Sequence, residues 1–116
     1  MVVAKFTMDS SRRMVSLHVK GHAMQALKGN DIICASASIL AYTVAQNVKM
    51  AEERGLLKYS PTLKLRDGNS IITCRAVDDD SYAELLHTYC VVQAGYQVLA
   101  YNYPQNVAVE TFGEAE

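Results

Sequence analysis

The sequence predicts an α+β fold, a two-layer sandwich with a small, mainly antiparallel sheet and two long helices. Three observations carry that prediction. Two long stretches repeat apolar residues at spacings of three and four, the helical period. Five short segments have strand length and are apolar-rich or alternate in polarity. Within two pairs of these segments only a few turn-forming residues intervene, which favours hairpins and hence antiparallel pairing. The 116 residues, half of them hydrophobic, are read as one domain, residues 1–116. A chain of this size buries about two thirds of its unfolded surface, enough for a core without covalent staples.

Val2 to Met8 reads as the first strand, and Asp9-Ser10-Ser11-Arg12 as a turn. From Met14 to Lys20, Val15, Leu17 and Val19 alternate with Ser16, His18 and Lys20, the period of a half-buried strand. Gly21 to Asp31 breaks the alternation and reads as a loop with a short helical turn at Ala23 to Leu27. A helix follows from near Asp31 to about Arg54, with Gly55 in the position that ends helices through a left-handed residue. Its apolar stripe, Ala37, Leu40, Ala41, Val44, Val48 and Ala51, is narrow and rich in alanine, which permits close approach to a neighbour.

Thr62 to Arg66 and Ser70 to Ala76 form the next strands, joined by the turn Asp67-Gly68-Asn69. The acidic run Asp78-Asp79-Asp80 suits the exposed amides and positive end of a second helix, which extends to about Tyr101 ahead of Pro104. Its apolar residues are Tyr82, Leu85, Leu86, Tyr89, Val92, Tyr96 and Leu99. Val107 to Phe112 is the last strand. The two helices carry more apolar surface than one small sheet covers. A homodimer would use the surplus, or the monomer packs it inside.

Composition narrows the function classes. A net charge of −1 leaves no basic footprint for direct nucleic-acid binding. No apolar run reaches membrane-spanning length, so no membrane association is expected. The N-terminus lacks the pattern of a signal peptide, so a cytoplasmic location is expected. Three widely spaced cysteines argue against a disulfide framework and against a zinc site, so neither a metal nor any other cofactor is expected.

The chemistry-bearing segment runs from Gly21 to Ser38. It sets His22 and Cys34 at the two ends of a polar, glycine-containing stretch. A helix start and a nearby imidazole both favour the thiolate form of a cysteine. The amides around Cys34 to Ser36 would then face a developing oxyanion. Asp31 either orients His22 or, with Asn30, caps the helix, and capping is the favoured reading. Ser38 stands one helical turn beyond Cys34, where it supports the thiolate, touches substrate or simply packs. Gly21 is a hinge or an ordinary turn residue. Cys74 in a strand and Cys90 in a helix read as structural, and His18 and His87 as polar-face residues without a role.

The string Gly21-His22-Ala23, followed by Gly29-x-Asp31-Ile32-Ile33-Cys34-Ala35-x-x-Ser38, resembles the ribosomal-processing cysteine protease (Prp, or YsxB-like) family. Chain length and element order extend the likeness over nearly the whole sequence. Ser36-Ala37 depart from the more apolar residues common there. The resemblance implies a bacterial endopeptidase with His22 and Cys34 as its catalytic dyad. It implies as substrate the short N-terminal extension of a large-subunit ribosomal protein of the L-twenty-seven type, cut after an aromatic residue. It also implies a homodimer and a loop, Ala23 to Asn30, that closes over bound peptide. Two other readings of the same cysteine stay open: a non-catalytic peptide-binding module in ribosome assembly, and a redox-sensing thiol protein.

Overall fold

A computed structural model describes residues 1–21 and 30–113, the side chains of Asn30 and Asp31 excepted. The order is β1 (Val2–Asp9), β2 (Met14–Lys20), α1 (Asn30–Glu53), β3 (Thr62–Arg66), β4 (Asn69–Arg75), α2 (Asp79–Asn102) and β5 (Val107–Gly113). The five strands form one sheet in the order β3-β4-β2-β1-β5. The architecture is the α+β sandwich expected, and each element lies within a residue or two of its sequence reading. The helical turn expected at Ala23 to Leu27 lies outside the described residues.

Three of the four pairings are antiparallel: β1 with β2, β2 with β4, and β3 with β4. The fourth, β1 with β5, is parallel. Both helices are crossovers. After β2, α1 returns the chain to β3, leaving room for β4 between them. After β4, α2 carries it across to β5 on the far edge. Strands that point the same way need such a long return, whereas hairpins need only a turn. The turn at Asp67 and Gly68 provides the β3–β4 hairpin.

Period-two patterning selects the buried face. Val2, Ala4 and Phe6 of β1, Val15 and Leu17 of β2, and Ile72 and Cys74 of β4 all point into the core. They meet Ile33, Ala37, Ala41, Val44, Ala45, Val48 and Ala51 of α1 and Leu85, Tyr89, Val92 and Tyr96 of α2. Phe6 sits edge-on to both tyrosines, with ring centroids 4.9 Å from Tyr89 and 5.7 Å from Tyr96. The Tyr96 hydroxyl donates to the Ala37 carbonyl at 2.6 Å, which fixes α2 against α1. The Tyr89 hydroxyl accepts from the Thr7 amide at 2.8 Å and also meets the Ser16 carbonyl, so it reaches β1 and β2. Burial pushes both phenols above their ordinary range.

The helix ends follow from their sequences. Gly55 adopts φ +74°, its amide donates to Glu52 at 3.0 Å, and the Leu56 amide donates to Ala51 at 3.0 Å. This pair of bonds closes the end of α1 in the Schellman manner, and only a residue tolerant of positive φ fits it. Asp78 caps α2, its carboxylate accepting from the Ser81 amide at 2.8 Å, which holds the carboxyl below its ordinary pKa. No helix among the described residues is long and apolar enough to cross a membrane.

The sandwich does not absorb all the apolar surface of its helices. Ile32, Ile39, Tyr42 and Met50 of α1 and Val91, Val98 and Tyr101 of α2 stay exposed.

Because Phe6 touches the tyrosines of α2 from the middle of β1, Phe6→Ala should lower stability by about 3–5 kcal/mol. Urea unfolding followed by circular dichroism checks this. A loss below about 1 kcal/mol would mean that the aromatic cluster does not bind the layers together.

Candidate active site

The end of β2 sets the site. Gly21, the next residue, takes φ +94°, where residues with a side chain are strained. Its amide donates to the Gly68 carbonyl of the β3–β4 turn at 2.9 Å. A Cβ on Gly21 would stand 2.2 Å from the Met1 carbonyl oxygen, far inside contact distance. The start of β1, the end of β2 and the hairpin turn are thus drawn together. A further tie is His18 Nε2 to Asn69 Oδ1 at 2.7 Å, a partner that the sequence did not reveal.

Against this end of the sheet lies a cavity of about 330 Å³. Cys34, Ser38 and Tyr42 form one wall from α1, and Arg66 to Ser70 form another from the turn. Val2, Val19 and Gly21 supply the sheet end. Cys34 is half-buried: it packs against the core and lines the cavity.

The sequence-predicted residues divide clearly. Gly21, Cys34 and Ser38 come together at the cavity, while Ala35 is exposed and does not line it. His22 lies outside the described residues. α1 begins at Asn30, so Asp31 stands in its first turn, and the side chains of both lie outside the described residues. The same boundary corrects the oxyanion expectation. Cys34 is the fifth residue of α1, so the amides of Cys34 to Ser36 face carbonyls one turn back. The amides without helical partners are those of the first turn, upstream of Cys34.

The other cysteines differ by environment. Cys74 points from β4 into the core, and desolvation pushes its thiol up to about 11. Cys90 is exposed on α2. Neither lines the cavity. Among the described residues no group of three or more metal-binding side chains occurs.

Two parts of the site escaped the sequence reading. Tyr42 was available as a signal, because it continues the four-residue row of Cys34 and Ser38. The Arg66 to Ser70 wall depends on the pairing of β4 with β2, which sets Lys20 opposite Asn69. Nothing local in the sequence marks it.

Fold and site together define a small α+β protein whose accessible cysteine stands on a helix beside a cavity at the end of the sheet. Comparison with known proteins makes this specific: the sequence profile of the cysteine protease Prp family matches residues 1–108, and the chain belongs to that family. It is by that membership a cysteine protease. SMU.848 from Streptococcus mutans is similar in structure, with a TM-score of 0.63 and 21% identity over 98% of this chain and 96% of that one. The essential ribosomal processing protease Prp from S. aureus, solved with a covalently linked product peptide, gives a TM-score of 0.61 at 23% identity, over 96% of this chain and 99% of that one. The same S. aureus protease solved with a substrate peptide matches with a TM-score of 0.61, 21% identity and the same coverage. No curated protein matches the chain.

Two outcomes follow. Iodoacetamide at pH 8 should label Cys34 and Cys90 in the native protein and leave Cys74 unlabelled until denaturant is added, as read by peptide mass spectrometry. Rapid native labelling of Cys74 would contradict its burial. Gly21→Ala should destabilise the fold by at least about 1–3 kcal/mol, the cost of backbone strain to which the clash with the Met1 carbonyl adds, measured by urea unfolding. Unchanged stability would contradict the close approach to Met1.

Proposed function

We propose that this chain is the endopeptidase that removes the short N-terminal extension of a bacterial large-subunit ribosomal protein of the L-twenty-seven type during ribosome assembly. The observation that carries the reading is the placement of Cys34. It alone of the three cysteines lines the cavity, and Gly21, the residue before His22, lines the same cavity. Family membership supplies the class of chemistry. The S. aureus relative solved with a substrate peptide supports a peptide as the ligand.

His22 takes the proton of the Cys34 thiol, or holds the thiolate as an ion pair. Sγ attacks the scissile carbonyl carbon, and the tetrahedral intermediate collapses to a thioester as the C–N bond breaks. His22 gives its proton to the leaving amine, which departs as the new N-terminus of the ribosomal protein. Water, with His22 as base, then hydrolyses the thioester and frees the thiol. Asp31 and Ser38 are assigned supporting roles around the dyad; the expected closing loop lies outside the described residues. The reaction uses no metal or other cofactor.

The working unit is residues 1–116 as one catalytic domain, acting in the cytoplasm as a homodimer. The exposed row Val91, Val98 and Tyr101 on the outer face of α2 supports pairing of two copies. The net charge of −1 supports contact with the ribosomal protein rather than with nucleic acid.

A synthetic peptide spanning the extension and the first mature residues tests the reading by liquid chromatography and mass spectrometry. The parent protein should cut it once, and Cys34→Ala and His22→Ala should each lose at least about 10³-fold in kcat/KM. Cleavage that survives Cys34→Ala would contradict the nucleophile. Tight binding without cleavage by the parent would turn the assignment to a peptide-binding module.

A further inference from the structure

A second concavity, of about 470 Å³, lies along the outer flank of α1. Ile39, Tyr42 and Met50 supply its apolar surface, and Thr88 of α2 borders it. The three apolar side chains are 60%, 50% and 48% exposed, on a face that a helix normally gives to polar residues. Tyr42 lines both this groove and the cavity of Cys34.

Helical geometry explains the junction. Cys34, Ser38 and Tyr42 follow at steps of four, and at 3.6 residues per turn each step advances about 40° around the axis. The row starts at the sheet-facing flank with Cys34 and drifts outward until Tyr42 meets the face of Ile39 and Met50.

We propose that this groove seats apolar side chains of the same peptide that Cys34 attacks, with Tyr42 as the specificity-determining residue at the junction. The inference rests on the protease reading above. Continuity with the cavity selects the occupant. A second copy of the chain lying on this face would also cover Tyr42 and narrow the mouth through which a peptide reaches the thiol. Spacing makes the proposal quantitative. Cys34 and Tyr42 are separated by about 12 Å along the helix axis, and an extended peptide rises about 3.3 Å per residue. The first apolar side chain therefore sits three to four residues from the scissile bond, and Met50 meets one about seven residues away.

The test uses the synthetic peptide above with each position replaced in turn by serine. With the parent protein, replacement three or four residues from the cut should lower kcat/KM by about tenfold. Tyr42→Ala and the double variant Ile39→Ser, Met50→Ser should lose this discrimination, and Tyr42→Phe should keep it. A flat serine scan would overturn the proposal, as would variants that lower all peptides by one common factor. So would a double variant that changes a dimer to a monomer in sedimentation while discrimination persists, which would assign the groove to a second copy. The same peptides are titrated against Cys34→Ala by fluorescence anisotropy. If the parent cuts none of them but binding shows the groove-dependent preference, the groove stands and the protease reading falls. Binding without that preference, or no binding, overturns the groove.

Discussion

The contact between Gly21 and the Met1 carbonyl is the constraint on which the site depends. Three chain segments reach the same end of the sheet there: the start of β1, the end of β2 and the β3–β4 turn. They approach closely only because Gly21 has no Cβ and accepts φ +94°. The Gly21 amide bond to Gly68 then locks the turn to β2. The cavity is the space left between this clasp and the flank of α1. A side chain at Gly21 would disturb the cavity wall and the point from which the chain continues to His22.

Environment rather than residue type separates the three thiols. Cys74 faces the sandwich interior, where loss of water disfavours its thiolate. Cys90 faces solvent on α2 and lines neither the cavity of Cys34 nor the groove on α1. Cys34 combines partial burial with a cavity, the combination that a nucleophile acting on a bound peptide requires. Position on the helix matters as well. Cys34 stands past the first turn, so the unpaired amides of the α1 start lie upstream of it rather than around it.

Local chemistry made most of the elements legible. The alternation of Val15, Leu17 and Val19, the stripe from Ala37 to Ala51, the acidic start of α2 and Gly55 each report a local backbone state. The sequence therefore placed the strands and helices to within a residue or two. Strand order was not legible, because it depends on where two crossover helices return the chain, and the parallel β1–β5 pair followed from that. The site divided in the same way. Cys34 and Ser38 share one helix face and were readable together. Arg66 to Ser70 reach the cavity only through the register of β4 on β2, a long-range fact. The partner of His18 and the exposure of Cys90 were hidden for the same reason.

The proposed function turns on Cys34 Sγ as the nucleophile that attacks a bound peptide. The most direct measurement uses the extension peptide ending in a vinyl sulfone in place of the scissile carbonyl, which a thiolate converts to a stable thioether, followed by peptide mapping of the labelled protein. One adduct per chain is expected, on Cys34, suppressed by excess unmodified peptide. Labelling of Cys90 in place of Cys34, or labelling of Cys34 that excess peptide does not suppress, would contradict it.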